Sequence, residues 1–246
     1  DEGTTVTPAK AYDNATMTID RAVLTSKYVS VANGKSVRMT IKVFTGRLSK
    51  TYKLTIKRAK STNNNLASLT PSIGTLSQPF DPAVLNYSLN LDEYTDRVLI
   101  SATAAHLLAK TTPKSKLYIL KNGQTKVATI RVRAQSGATK IYRVAITRAK
   151  STNANLLRLK TNSLLYPLVP AFSADNTSYT VTLPASVGSV TLTAKKADKY
   201  ANLTIDGAKK TSKKVVLLNG QTITVNITVT AQAGNTKTYT IVISRP

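Results

Sequence analysis

The sequence predicts an all-β chain of tandem antiparallel β-sandwiches, and three observations carry that prediction. A ten-residue stretch with period-two alternation is written three times. Short apolar runs broken by Gly, Pro and Asn fill the remainder, and no segment has helical periodicity. The strong positive charge recurs with the repeats. Of 35 Lys and Arg against 11 Asp and Glu, residues 1–60 carry 12 and 4, residues 61–150 carry 12 and 4, and residues 151–246 carry 11 and 3. The net +24 is therefore a property of the repeat and not of a basic tail.

The thrice-written stretch reads Thr236-Lys-Thr-Tyr-Thr-Ile-Val-Ile-Ser-Arg245 in its last copy. The second copy is Thr139-Lys-Ile-Tyr-Arg-Val-Ala-Ile-Thr-Arg148 and the first is Ser49-Lys-Thr-Tyr-Lys-Leu-Thr-Ile-Lys-Arg58. Tyr239, Ile241 and Ile243 point one way and Thr240, Val242 and Ser244 the other, as in a strand with one face on a core. The first two copies run into the same junction, Ala-Lys-Ser-Thr-Asn at 59–63 and 149–153. Each repeat is thus expected to close on this strand, giving a partial sandwich over 1–60 and complete ones over 61–150 and 151–246.

The two complete repeats align end to end. Leu66 and Leu69 match Leu156 and Leu159, Phe80 and Tyr87 match Phe172 and Tyr179, and the turn Asn122-Gly123 matches Asn219-Gly220. The loops before the closing strands are Gln135-Ser-Gly137 and Gln232-Ala-Gly234. The tyrosines Tyr142 and Tyr239, with Ile146, Ile243, Phe80 and Phe172, are expected in the cores. The order of these motifs, Asn-x-x-Leu, then Phe…Tyr, then an alternating Val strand, then Gly-x-Thr-Lys-x-Tyr-x-Ile-x-Ile-x-Arg, resembles the bacterial cadherin-like β-sandwich family, an immunoglobulin-type module. The resemblance spans both complete repeats. It implies tandem modules of secreted or cell-surface proteins serving as spacers, adhesive units or companions of carbohydrate-active enzymes; it implies no reaction.

The first repeat departs from this pattern. Asn14-Ala-Thr-Met-Thr-Ile-Asp20 aligns with Tyr200-Ala-Asn-Leu-Thr-Ile-Asp206, Asn33-Gly34 is its turn, and Asp1 falls near Val187. About 36 residues of the pattern, with the opening Leu strand and the Phe…Tyr segment, have no counterpart in residues 1–60. The apolar rows Val37, Met39, Ile41, Val43 and Tyr52, Leu54, Ile56 are accordingly expected to form an open assembly groove. Three readings stand: a fragment, a self-sufficient small domain, or a mature or trimmed subunit whose half-module takes strands from another copy, head-to-tail, as in a fibre. The Asp1–Pro8 segment is one donor if it detaches from its own sheet. The opening Asp1-Glu2-Gly3 lacks the apolar run of a leader, and no stretch has the length of a membrane helix, so no transmembrane segment is expected.

Chemistry is excluded more readily than it is found. Cysteine is absent and His106 is the lone histidine, so neither a thiolate or histidine metal site nor a nucleophile–histidine pair can be assembled. Calcium-binding cadherins use clusters of Asp and Glu; here Asp92, Glu93 and Asp96 are expected to be a solvated loop. No metal, no cofactor and no enzyme activity are expected. Five Asn-x-Ser/Thr sequons, at Asn14, Asn86, Asn176, Asn202 and Asn226, are about as many as chance supplies at this Ser and Thr content.

The cations remain. Arg131, Arg133 and Arg143 share the outward face of two neighbouring strands, and Arg38, Lys42, Lys53 and Lys57 repeat the arrangement in the first repeat. In the third the charge moves to Lys195, Lys196, Lys199, Lys209, Lys210, Lys213 and Lys214. These serve either solubility and protection of sheet edges or contact with a polyanion: acidic cell-wall polymer, polysaccharide or extracellular DNA. No sequence-specific nucleic-acid reader is present. The expected role is an extracellular, non-enzymatic structural or adhesive protein of a prokaryotic surface. The alternative is a set of polysaccharide- or cell-wall-binding accessory modules from a larger secreted enzyme, which the absence of Trp disfavours.

Overall fold

The computed structural model describes residues 3–246. Its regular structure is strand throughout, in six sheets that pack as three successive pairs. The second pair shows the complete unit. Its strands are β6 (Leu66–Pro71), β7 (Asn86–Leu91), β8 (Arg97–Ala104), β9 (Lys110–Thr112), β10 (Ser115–Ile119), β11 (Thr125–Arg133) and β12 (Thr139–Arg148). One sheet runs β10-β8-β6 and the other β7-β12-β11-β9. The third pair repeats this with β13 (Leu156–Thr161), β14 (Ser178–Thr182), β15 (Ser189–Lys196), β16 (Asn202–Ile205), β17 (Ser212–Val216), β18 (Thr222–Thr230) and β19 (Thr236–Ser244), ordered β13-β15-β17 and β14-β19-β18-β16.

The period-two strands do what their pattern dictates. Along β12, Tyr142, Val144 and Ile146 are fully buried while Arg143 is exposed, and along β19 Tyr239, Ile241 and Ile243 are fully buried. Each closing strand is held between an antiparallel neighbour and a parallel one. β12 pairs β11 with Tyr142 opposite Ile130, and pairs β7 in parallel with Val144 opposite Tyr87. Phe80 and Phe172 are half-buried, not fully enclosed as the sequence suggests, because each lies in the crossing loop and packs on the rim of the core. There each contacts two tyrosines, with centroids 6.0 and 6.2 Å away for Tyr87 and Tyr142, and 6.1 and 6.4 Å for Tyr179 and Tyr239. Such spacing is that of favourable aromatic contacts.

The first pair has five strands: β1 (Gly3–Val6), β2 (Thr16–Ile19), β3 (Lys27–Ser30), β4 (Ser36–Thr45) and β5 (Leu48–Lys57). β1 pairs β3, and the other sheet runs β2-β4-β5. Gly3 opposite Ser30 reproduces Ser189 opposite Val216, and Met17 opposite Val43 reproduces Leu203 opposite Val229. The two strands with no counterpart here are those equivalent to β6/β13 and β7/β14. The apolar rows are not left wholly open, however. Val29 and Val31, with Met17 and Ile19, cover Met39 and Ile41, which are buried, and Val37, Val43 and Ile56 are half-buried. Of the donor segment at the chain's start, Asp1 and Glu2 lie outside the described residues, and Gly3–Val6 is β1, paired in its own sheet, from which it would have to detach to be donated.

Candidate functional site: an open sheet edge, basic faces and clamped junctions

The edge of β5 is where the first unit differs most from the others. Tyr52 stands opposite Ile41, the register place of Tyr142 opposite Ile130 and Tyr239 opposite Ile227. In the complete units this tyrosine ties three segments together. The Tyr142 hydroxyl accepts the Leu66 N–H at 3.3 Å and donates to the Pro82 carbonyl at 2.8 Å. The Tyr239 hydroxyl accepts the Leu156 N–H at 3.0 Å and donates to Ala174 O at 2.9 Å. Both rings are 0% exposed, whereas Tyr52 is 49% exposed and Leu54 36%. They line an apolar groove of about 790 Å³ with Met17, Ile41, Val43, Phe44 and Leu48. The Lys50 ammonium sits 5.4 Å from the Tyr52 ring centroid, a cation–π contact at the mouth.

The sequence-derived cations fall into three settings. On the first unit's outer face Arg38 stands opposite Thr55, Lys42 opposite Thr51, Lys53 opposite Thr40 and Lys57 opposite Ser36. Like charges are thereby kept on diagonals, which limits the repulsion that direct opposition would cost. In the second unit Arg131 and Arg143 stand opposite Ile141 and Thr129, but Arg133 faces Lys110 across β9, a like-charge pair absent from the sequence reading. In the third unit Lys195, Lys196, Lys199, Lys209 and Lys210 line one cleft with Arg158. Lys196 turns inward and donates to the carbonyls of Lys199 and Ala201, and Lys10 makes the same closure on Asp13 and Ala15. Lys213 pairs with Asp206, and Lys214 lies on β17 opposite Thr191, outside the cleft.

The junctions between units hold residues that sequence reasoning passes over. Gln135 Oε1 accepts the Ser61 N–H at 3.0 Å and its Nε2 donates to Asn33 O at 2.8 Å. Gln232 repeats this with the Ser151 N–H at 3.1 Å and Asn122 O at 3.0 Å. A backbone bond accompanies each, Ser136 N–H to Ser61 O and Ala233 N–H to Ser151 O. Gly34 and Gly123 have φ of +74° and +72°, a turn conformation that favours glycine, and a Cβ on either would in addition lie 2.8 or 2.9 Å from the clamping amide nitrogen. His106 Nε2 lies 3.0 Å from Asn33 Nδ2 at the first junction, in the bend after β8. The signal was available in the repeated Gln two residues before Gly, which reads as a turn until the partner is seen.

A profile described as the cadherin-like beta sandwich domain matches residues 66–149 and 156–246, spanning most of the chain. The chain belongs to the cadherin-like β-sandwich family. Among solved structures, the Drosophila N-cadherin EC1-3 fragment is similar over 100% of this chain and 94% of its own, at 12% identity and a TM-score of 0.36. Human desmocollin-1 ectodomain covers 100% of this chain and 58% of its own at 10% identity and a TM-score of 0.31. The insect immune protein hemolin covers 100% and 72% at 9% identity and a TM-score of 0.32. No curated protein matches.

Cadherin-like domains are typically extracellular and non-catalytic, and among the described residues no helix is long and apolar enough to cross a membrane. No group of three metal-ligating side chains occurs among the described residues. In this cadherin-like chain the three loop acids are engaged singly. Asp92 caps the N–H groups of Tyr94 and Thr95, Asp96 pairs with Arg97, and Glu93 reaches across the second junction to the Thr152 N–H and hydroxyl. The hydrogen bonds from Thr152 hold the Glu93 carboxyl below its usual range.

Proposed function

We propose that this chain is a non-enzymatic building block of a prokaryotic cell surface, structural or adhesive, whose first unit is completed by a β-strand from a neighbouring subunit. Other copies of the chain arranged head-to-tail would give a fibre, the outcome of a heterologous contact whose rotation does not close into a ring. The observation that carries the reading is the contrast at one register position: Tyr142 and Tyr239 are enclosed, and Tyr52 faces solvent beside an unpaired strand edge. An edge with apolar flanking side chains is a template for strand addition. The clamped junctions support a mechanical role, since each fixes one unit on the next through side-chain and backbone bonds. Electron microscopy of the purified protein tests the assembly: fibres are expected, and they should vanish in Leu54→Lys. Dispersed monomers at high concentration would refute it.

The basic faces are the second part of the proposal. The third unit's cleft gathers Lys195, Lys199, Lys209, Lys210 and Arg158, an arrangement suited to non-specific contact with acidic cell-wall polymer, polysaccharide or extracellular DNA. Reversing Arg131, Arg133 and Arg143 to Glu should weaken retention on an acidic polymer and flatten its salt dependence. Reversing Lys195, Lys209 and Lys210 should do so independently. Unchanged retention in both would leave the charge with solubility alone.

A further inference from the structure

The two complete units carry the same net charge on opposite sides. Their strands pair in the same register, so each position in one unit has a counterpart in the other. On the sheet β13-β15-β17, Arg158 opposite Lys195 and Lys160 opposite Thr193 take the places of Ser68 opposite Thr103 and Thr70 opposite Ser101. Lys214 opposite Thr191 replaces Leu117 opposite Leu99. On the other sheet the exchange runs backwards: Arg131, Arg133 and Arg143 become Thr228, Thr230 and Thr240. Residues 61–150 hold 12 basic and 4 acidic residues, and residues 151–246 hold 11 and 3, so the excess is the same. Solubility depends on that excess. What differs is where the cations stand.

Resting on the reading that the basic faces contact a polyanion, we propose that the third unit's cleft binds an acidic polysaccharide chain, which continues past Lys199 into the junction with the second unit. The cleft, of about 820 Å³, is walled in part by a longer turn. Residues 205–210 stand where the second unit has Pro113 alone, and they bring in Lys209 and Lys210. Arg158 and Lys195, both exposed, stand directly opposite each other, a like-charge pair that costs stability until an anion lies over it. Between the cations the cleft offers Thr193, Asn202 and Thr211, neutral partners for sugar hydroxyls. Its apolar wall is Leu157, Ala194, Ala197 and Leu203, aliphatic side chains that give a nucleobase no ring to stack on. Apart from Arg158 its cations are ammonium groups, point charges without the fork that suits phosphate. Hydroxyl-rich rings with pendant carboxylates or sulfates meet all three features. Lys199 takes the place of Leu107 in the bend after the third strand of each unit. It lines both this cleft and a second one of about 610 Å³ at the junction, with Lys121, Lys126 and Tyr200. Its ammonium lies 4.9 Å from the Tyr200 ring centroid, so one cation serves both clefts.

Fluorescence anisotropy of end-labelled oligogalacturonate, added to the full chain at low salt, is the test. An oligomer of about ten sugars should bind about tenfold more tightly than its tetramer, which is too short to reach from cleft to junction. It should also bind about tenfold more tightly than oligothymidylate or poly(glycerol phosphate) of the same charge. R158S/K195T/K199L gives the third unit the residues that the second carries at those places, so folding is not at risk. It should weaken the long oligomer about tenfold or more and flatten its salt dependence. R131T/R133T/R143T makes the reverse exchange and should leave the affinity within about twofold, since that flat face adds spread charge for a long polymer but no cleft to seat an oligomer. Hydrogen exchange at residues 150–153 should slow with the long oligomer bound and not with the tetramer. An unchanged affinity in the cleft variant, equal losses in the two variants, equal affinity of the two lengths, or equal or tighter binding of either phosphodiester would overturn the inference and leave the basic-face reading standing. If the chain retains no anionic polymer at low salt, both are refuted.

Discussion

Replacing Tyr142 by Phe should destabilise the second unit by about 2–3 kcal/mol, while Tyr52→Phe should change stability by less than about 0.5 kcal/mol. The ring and its packing are kept in both, so the difference isolates the hydroxyl. At Tyr142 that hydroxyl is the partner of the Leu66 N–H, on a residue 1% exposed, and of the Pro82 carbonyl. Removing it strands a buried N–H, at about 1–3 kcal/mol, and forfeits a second bond worth about 1 kcal/mol net. At Tyr52 the ring is half in water, and its hydroxyl makes no such bond among the described residues. Native-state hydrogen exchange resolved by mass spectrometry is the assay, since three units need not unfold as one. Amides of β6 and β12 should exchange about 30-fold faster or more in Tyr142→Phe, following the tenfold-per-1.4 kcal/mol relation. Equal effects of the two substitutions would show that Tyr52 is already enclosed and would refute completion of the first unit by a neighbouring strand.

The junction clamps predict that Gln135→Ala or Gln232→Ala costs about 1–2 kcal/mol at its own junction, two hydrogen bonds being lost. Small-angle scattering should then show a broader distribution of end-to-end distances, with unit folds unchanged by circular dichroism. Glu93 has its folded carboxyl pKa lowered by Thr152, so its contribution is fully present above the ordinary glutamate range. That contribution is lost as pH falls through the lowered folded value. Exchange at residues 150–153 should accelerate in acid for the wild type and show no such step in Glu93→Gln. Thr111 is buried with no partner for its hydroxyl among the described residues, at the register place held by Met17 and Leu203. Thr111→Val should therefore stabilise the second unit by about 1 kcal/mol in a denaturant melt.

The sequence by itself determined the closing strands and their inward rows. Alternation is a local property, and three aligned copies made it unambiguous: Tyr142, Ile146, Tyr239 and Ile243 are all fully buried. What it could not supply was anything set by residues far apart in the chain. β3 holds one buried apolar residue, Val29, in four, too few for a period-two signal, so the cover over Met39 and Ile41 emerged only when β1 and β3 paired. The half-burial of Phe80 and Phe172 depends on where a crossing loop lies on the rim. The cations looked equivalent as letters, yet Lys196 and Lys213 are occupied by the Ala201 carbonyl and Asp206, and Arg133 meets Lys110 only through the β9–β11 register. Gln135 and Gln232 reach acceptors 102 and 110 residues away. A hydrogen bond over such separations is fixed by how one unit sits on the next, and no local pattern encodes it.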